Sequence, residues 1–261
     1  MRFETHGRTD AAAETVILSA GLGGAAAYWR PQMAALAERF RVLTYDQRGT
    51  GQNAEPLPDP YAIGSMADDL LEIAEAAGAG RVHLVGHALG GLAALDFAHR
   101  FPERTGRVAV VNGWARADAH TRRCFTARTT LLRHAGPEAY VAAQPIFLYP
   151  AAWLSANAAA VEAEVAHGLA HFQGEANLLR RIDALLRFDA TEALPSIHAP
   201  ALLVAAHDDV LVPWTASRAL AEALPDARLA AMDTGAHACN VVEPDRFNAL
   251  LLPFLEGSEP A

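Results

Sequence analysis

The chain has 261 residues, of which 52% are apolar and 20% charged, and its formal net charge is −9. This composition is typical of a globular protein and excludes wholesale disorder. Binding of nucleic acid through a general basic surface is also disfavoured, because a negatively charged protein repels a polyanion.

The sequence carries no sign of a membrane or secretory segment. No uninterrupted apolar run reaches the roughly 18 residues of a membrane-spanning helix. The segment 1–14 is polar and lacks the apolar centre of a secretory signal. Two cysteines, Cys124 and Cys239, are too few for a disulfide framework. We therefore expect a cytoplasmic protein with no membrane partner.

The first part of the chain alternates apolar, β-branched runs with segments of helical spacing. The predicted elements are, in chain order, a strand at 15–19, a helix at 28–39, a strand at 40–45, a helix at 63–77, a strand at 81–85, a helix at 88–100 and a strand at 107–111. This alternation predicts a mostly parallel sheet with helices on both faces, joined by right-handed crossovers.

The pattern changes after the fourth predicted strand. Residues 114–190 contain helical patches broken by glycine and proline, and no convincing strand. Strands and helices then alternate again at 200–205, 213–224, 228–232 and 243–255. We therefore predict an α/β fold whose core comprises 1–113 and 191–261, with a helical cap at 114–190 inserted in it.

The segment Gly86-His87-Ala88-Leu89-Gly90 lies between a predicted strand and a predicted helix. This is the context of the nucleophile elbow of α/β-hydrolases, Gly-x-Ser-x-Gly, whose central residue sits on a strained turn with no room for neighbouring side chains. Here the central residue is Ala88, which has no nucleophile. An acyl-enzyme formed at this position is therefore chemically impossible.

Two loops agree with the oxyanion hole of an α/β-hydrolase. In that fold the loop after an early strand supplies one backbone N–H, and the residue after the nucleophile supplies the other. The loop at 19–24, Ser-Ala-Gly-Leu-Gly-Gly, makes Leu22 the first candidate donor, and Leu89 is the second.

The acid and the base of a hydrolase triad also have candidates, in the chain order elbow, acid, histidine. Asp209, four residues before Pro213, stands where the acid is expected, while Asp208 is predicted to cap the next helix. His237 follows a glycine and precedes the closing helix. We expect His237 and Asp209 to lie within hydrogen-bond reach of each other.

Other chemistries find less support in the sequence. Cys239, two residues from His237, is a second candidate nucleophile, although a small cysteine lining the pocket is the favoured interpretation. The chain contains neither His-Glu-x-x-His nor Cys-x-x-Cys, so no metal site is predicted. The glycines at 21–24 have the wrong spacing for a dinucleotide loop, so no cofactor is implied.

A group of motifs resembles one family of α/β-hydrolases over nearly the whole chain, from Val16 to Leu252. They are Gly21-Leu-Gly-Gly24, Tyr45-Asp-Gln-Arg-Gly-Thr-Gly51, Gly86-His-Ala-Leu-Gly90, Asn112-Gly-Trp114, His120-Thr-Arg-Arg-Cys-Phe125, Ala143-Gln-Pro-Ile-Phe-Leu-Tyr-Pro150, His171-Phe-Gln173, Asn177-Leu-Leu-Arg-Arg181 and Gly235-Ala-His-Ala-Cys-Asn240. On these motifs the chain resembles the RutD family of the bacterial Rut pathway of pyrimidine use.

The resemblance implies a substrate class. The Rut pathway opens the uracil ring, and the family is described as hydrolysing carbamate or, in an alternative interpretation, aminoacrylate. It also implies that alanine at the elbow belongs to the family rather than to an engineered change. A homodimer is compatible with the resemblance, although no pattern of apolar residues in the sequence identifies an interface.

A mechanism without a serine follows from the chemistry of carbamate. Carbamate loses ammonia once its nitrogen is protonated, so a histidine acid is required and a nucleophile is not. His237, oriented by Asp209, is the candidate acid. Aminoacrylate needs protonation at carbon and then addition of water, which the same pair would serve.

Recognition of a small anion favours arginine, and Arg122 and Arg123 lie early in the predicted cap. A solvated arginine pair on a helix face is the alternative. Trp114, Phe172 and Gln173 are further candidates for the pocket lining on the cap side.

Two rival functions remain open at this stage. Ester, lactone or thioester hydrolysis through an acyl-enzyme is opposed by Ala88. The second rival is a non-catalytic protein that binds a metabolite, and such a protein would not need Asp209 and His237 at the positions of a catalytic acid and histidine.

Overall fold

A computed structural model describes residues 1–258, and in these residues seven strands form one sheet in the order β1-β3-β2-β4-β5-β6-β7. The strands are β1 (Glu4–Gly7), β2 (Thr15–Ser19), β3 (Arg41–Thr44), β4 (Val82–His87), β5 (Thr105–Val111), β6 (Ala201–Ala206) and β7 (Ala227–Met232). Strand β1 pairs antiparallel with β3, and the other neighbouring strands pair in parallel.

The helices of the described residues connect and cover these strands. They are α1 (Arg30–Ala37), α2 (Ile63–Ala76), α3 (Leu89–Arg100), α4 (Ala119–Leu148), α5 (Ala151–Ala156), α6 (Ala158–Ala170), α7 (Glu175–Arg187), α8 (Trp214–Ala223), α9 (Cys239–Val242) and α10 (Pro244–Glu256). None of them combines the length and apolar character that crossing a membrane requires.

Successive side chains of the central strands pack into different cores, as the period of two in a strand requires. Val16 and Leu18 of β2 lie in the core that α1 and α10 cover, whereas Ile17 between them lies in the core on the other face, which α2, α3 and α8 cover. Strands buried on both faces explain the continuous apolar runs in the sequence. The predicted α/β fold class is thereby confirmed.

Helices α4–α7 occupy the interval between β5 and β6, where the sequence predicts a cap. Gly136 has a φ of 85° and a ψ of 178°, which breaks the long α4 into two helical parts. The exact domain boundaries at 113–114 and 190–191 stay a prediction.

Strand β1 is not predicted by the sequence. It is an edge strand of four residues, Glu-Thr-His-Gly, whose side chains are exposed or half-buried. Its pairing with β3 depends on backbone hydrogen bonds, which leave no apolar pattern in the sequence. By contrast, β2–β7 lie at the predicted positions, and their ends differ from the predicted ones by two residues or fewer.

Candidate active site

Ala88 lies at the turn between β4 and α3 with a φ of 44° and a ψ of −111°. A residue other than glycine rarely adopts a positive φ, and such strain costs about 1–3 kcal/mol. A Cβ added to Gly86 would overlap the backbone of Gly90, and one added to Gly90 would overlap the carbonyl of Ser19. The elbow therefore has the tight backbone of a nucleophile elbow, with a methyl group at its centre.

His237 and Asp209 form a buried pair at the carboxyl end of the sheet. The distance from His237 Nδ1 to Asp209 Oδ2 is 2.7 Å, and the side chains are 4% and 0% exposed. The other carboxylate oxygen, Oδ1, accepts from the backbone amides of Leu211 at 2.8 Å and Val212 at 2.9 Å. With Nδ1 directed at the carboxylate, Nε2 is the nitrogen left for chemistry. The catalytic role of the pair stays a prediction.

Asp208 does not cap α8, so that prediction was wrong. Its Oδ1 accepts from the backbone N of Ala236 at 2.8 Å, and its Oδ2 accepts from Gly235 N at 3.3 Å. Helix α8 begins only at Trp214. Asp208 follows β6, and the loop that carries His237 follows the neighbouring strand β7. Asp208 therefore shapes the histidine loop from the adjacent strand.

The backbone of His237 is held from two sides. Its carbonyl oxygen accepts from His87 Nε2 at 2.8 Å and from Asn112 Nδ2 at 2.7 Å. The His87 and His237 rings are 4.7 Å apart in an edge-on arrangement, and Tyr28 stacks on His87 at 4.7 Å. Burial, followed by the neighbouring His237, holds the pKa of His87 well below its usual value, so His87 is neutral at pH 7.

The glycine loop, defined here as Gly21–Gly24, follows β2 beside the elbow. The carbonyl oxygen of Leu22 accepts from Gln173 Nε2 at 3.2 Å and from Arg181 Nη2 at 3.2 Å. Two side chains from the α6–α7 region therefore set the orientation of the loop that carries the predicted donor Leu22. Leu89, the second predicted donor, is the first residue of α3, where backbone N–H groups have no intrahelical acceptor.

The predicted pocket residues divide into two groups. Gln173 contacts the glycine loop, Phe172 packs half-buried against the larger core, and Trp114 is buried in that core. Arg122 and Arg123 are exposed on α4. Arg122 donates to the carbonyl oxygens of Ala117 at 3.2 Å and Leu186 at 2.8 Å, and it thereby joins two cap segments. A role of Arg122 or Arg123 in binding substrate stays a prediction.

Cys239 is fully buried in the core on the α1–α10 side. Burial raises the pKa of its thiol to about 12, which leaves the sulfur protonated at neutral pH. A protonated, enclosed thiol is a poor nucleophile. The structure thus places Cys239 among packing residues beside the histidine loop.

Arg181 is the residue near the site that sequence reasoning passed over. It is 0% exposed and donates to the glycine loop from the middle of α7. The sequence itself indicates that Arg181 is buried. The i, i+3, i+4, i+7 spacing of a buried helix face is followed by Leu178, Arg181, Ile182 and Leu185. An arginine on such a helix face is buried together with its charge, and a buried charge requires hydrogen-bond or ionic partners.

Metal ligands do not cluster in the described residues. Within 1–258, no group of three or more His, Cys, Asp or Glu side chains is arranged to hold a metal ion.

Comparison with known proteins places this geometry in context. The family described as alpha/beta hydrolase fold matches residues 14–244. The "Putative carbamate hydrolase RutD" of Agrobacterium fabrum is 52% identical over 255 residues, covering 98% of each chain. The protein of the same name from Yersinia enterocolitica is 48% identical, over 98% of this chain and 92% of its own. The solved structure of an enol-lactonase from Burkholderia xenovorans LB400 has a TM-score of 0.89 at 27% identity, covering 98% of this chain and 96% of that chain.

Proposed function

The chain belongs to the RutD family of the α/β-hydrolase fold, and we propose that it hydrolyses carbamate to ammonia and carbon dioxide through His237 and Asp209. One observation carries the proposal. A buried histidine–carboxylate pair at 2.7 Å is intact beside an elbow whose central residue has no nucleophile. Such a site retains acid–base chemistry and has no means of forming an acyl-enzyme.

Proton transfer is the step that the pair would perform. Asp209 holds the Nδ1–H of His237, so the protonated ring presents its second proton on Nε2. Transfer of that proton to the carbamate nitrogen makes ammonia the leaving group. The C–N bond then breaks, its electron pair stays on nitrogen, and the remaining carboxylate becomes carbon dioxide. Solvent returns a proton to the ring.

Binding of the carboxylate end falls to the backbone donors. The Leu22 and Leu89 amides flank the elbow and would hold the substrate oxygens, as an oxyanion hole does. Because Ala88 carries only a methyl group, the volume that a serine hydroxyl fills elsewhere is free for the substrate or for water. Removal of a triad nucleophile still leaves about 10³-fold catalysis in other hydrolases.

Stopped-flow measurement of freshly dissolved carbamate, followed with a pH indicator, tests the proposal. A positioned general acid contributes about 10²–10⁴ in rate, so His237→Gln should remove most of the gain over buffer. His198→Gln is the matched control, because His198 is exposed and precedes β6, whereas Asp209 follows that strand. It should behave as the unaltered protein does.

The same measurement separates the alternatives. A rate gain with aminoacrylate and none with carbamate would replace the substrate and keep the acid–base pair. Equal rates for the unaltered protein, His237→Gln and buffer with both compounds would refute hydrolysis. A protein that binds or shields a metabolite would then be the better account.

A further inference from the structure

Arg181 carries a charge into the interior with only neutral partners. It is 0% exposed, and its Nη2 donates to the carbonyl oxygens of Gly21 at 3.4 Å and Leu22 at 3.2 Å. Nη1 donates to the carbonyl oxygen of Arg48 at 3.2 Å, and Nη2 also donates to Gln47 Oε1. All four acceptors are neutral oxygens, so none of them cancels the positive charge.

No carboxylate in the described part of the chain forms an ion pair with Arg181, and its buried Nε has no hydrogen-bond partner there. Arg48, which is beside it, pairs with Asp69 at 2.7 Å. Burial lowers the pKa of Arg181 to about 10, which still leaves the guanidinium protonated at neutral pH. Asp69 attracts the charge of Arg181 without contacting it, and this carboxylate is already paired with Arg48. An interior charge without a counter-ion in contact is costly, and an anion bound nearby would offset that cost.

The position of Arg181 indicates where such an anion would lie. The carbonyl oxygen of Gly21 and the N–H of Leu22 belong to the same peptide group. Donation from a cation to that oxygen polarises the peptide and strengthens the N–H as a donor. The low dielectric of the interior also lets the charge act over a longer distance than in water. The cation therefore stands directly behind the amide that the proposed function assigns to the substrate carboxylate.

We propose that Arg181 is a positioning residue that makes the Leu22 amide selective for a carboxylate over a neutral group. It acts through the Gly21–Leu22 peptide, because its own side chain is fully buried. The inference rests on the proposed function in one respect, that the substrate carboxylate lies against Leu22. Gln173 holds the carbonyl of Leu22, which belongs to the next peptide group, so the loop around Leu22 is fixed on both sides of this residue.

This role has a kinetic signature. The carboxylate charge is present in bound carbamate and is lost as carbon dioxide forms, so contacts with it contribute to binding rather than to lowering the barrier. Arg181→Met should therefore raise KM for carbamate by about tenfold or more, with kcat changed far less. A residue that merely supports folding would not split KM from kcat.

A binding experiment tests the selectivity without turnover. Acetate has the shape of carbamate, with a methyl group in place of the amino group, and acetamide is its neutral counterpart. Titrations at constant ionic strength should show that the unaltered protein binds acetate more tightly than acetamide. In Arg181→Met the ratio of the two affinities should fall by about tenfold or more. In Arg181→Lys part of this ratio should remain. Arg180→Met, in the same helix and half-exposed, is the matched control and should keep the preference. A folded Arg181→Met protein with unchanged acetate preference would overturn the proposal.

A measurement on the unaltered protein guards against variants that fail to fold. In an NMR titration the Leu22 amide proton should shift downfield with acetate, and much less with acetamide. Equal response to the two ligands, or no response of Leu22, would refute the assignment.

The outcomes keep the two proposals apart. If neither the unaltered protein nor Arg181→Met accelerates carbamate loss but acetate selectivity depends on Arg181, hydrolysis is refuted and the anion site stands. If carbamate is turned over with the same KM in Arg181→Met as in the unaltered protein, the function stands and the role of Arg181 is refuted.

Discussion

Asp209 uses its two carboxylate oxygens for different purposes. Oδ2 faces His237, while Oδ1 is held by the amides of Leu211 and Val212. The two amides fix the direction of the carboxylate, and the carboxylate in turn fixes the tautomer of the ring. Asp209 therefore decides whether Nε2 of His237 is available for the proposed proton transfer.

Asp209→Asn should reduce the rate gain over buffer in carbamate loss. Without the carboxylate nothing holds the Nδ1–H of His237, so the tautomer and the direction of the ring are no longer fixed. Rates are measured by stopped flow with the buffer rate subtracted. Asp226→Asn is the control, because Asp226 is exposed and precedes β7, whereas the His237 loop follows that strand. An undiminished gain in Asp209→Asn would contradict the role of the pair.

Ala88→Ser tests whether the elbow retains the geometry of a hydrolase. The backbone of Ala88 already has a φ of 44°, so a serine there would project its hydroxyl from the same strained turn. We expect p-nitrophenyl acetate hydrolysis to rise at least about tenfold above the parent protein, and to be lost again when His237→Gln is added. Hydrolysis that persists in the double variant would show that the new activity does not use the predicted pair.

At the scale of elements, the elbow is a crossing of β2, β4 and α3 that leaves no volume for side chains. The Cβ of any residue larger than glycine at position 90 would overlap the Ser19 carbonyl, which belongs to the backbone of a buried strand and cannot rotate away. The glycines of the motif are thus a requirement of packing as much as of backbone dihedrals. This explains why the pattern persists around an alanine that performs no nucleophilic chemistry.

Gly90→Ala should lower the free energy of unfolding strongly. Overpacking in a core costs about 1–3 kcal/mol, and a clash with strand backbone should lie at or above the upper end of that range. Gly80→Ala is the matched control, because a Cβ there meets no atom within 4 Å. Urea unfolding followed by circular dichroism measures both. A loss of less than about 0.5 kcal/mol in Gly90→Ala would contradict the described crossing.

At the scale of the whole molecule, polar side chains of α7, among them the buried Asn177 and Arg181, join the cap helices to loops of the sheet. Asn177 Oδ1 accepts from Leu57 N at 3.0 Å, and its Nδ2 donates to the carbonyl oxygen of Gly49 at 3.1 Å. Arg187 donates to the carbonyl oxygen of Tyr61 at 3.0 Å, and Arg181 reaches the glycine loop. The cap and the core therefore share buried groups that would be left unpaired if one part unfolded alone.

We therefore expect the protein to unfold in one transition. Far-UV circular dichroism and tryptophan fluorescence should give the same midpoint in urea, because Trp153 lies in the cap and Trp29 and Trp214 lie in the α/β core. Two separated midpoints would show that the cap unfolds independently. Asn177→Ala should lower the common midpoint, since it leaves the buried Leu57 amide without an acceptor, whereas Asn157→Ala, within the cap, should lower it less.

The sequence by itself determined the features that depend on near neighbours in the chain. Apolar runs located β2–β7, the two glycines around Ala88 located the elbow, and the order of Asp209 and His237 along the chain identified the candidate pair. The first two rest on residues a few positions apart, whose spacing follows from the periods of strands and helices and from the geometry of turns. The third rests on the order in which hydrolase motifs follow one another along the chain.

Only the tertiary structure decided which distant groups meet. His237 and Asp209 are 28 residues apart, and Arg181 is 160 residues from Gly21, so their contacts depend on the strand order and on how α7 docks. The partner of Asp208 also depends on the strand order, because it belongs to the loop after the neighbouring strand. The exposure of Arg122 depends on the direction in which α4 leaves the core. Local patterns encode which residues can be buried, whereas packing selects the partner that each buried polar group finds.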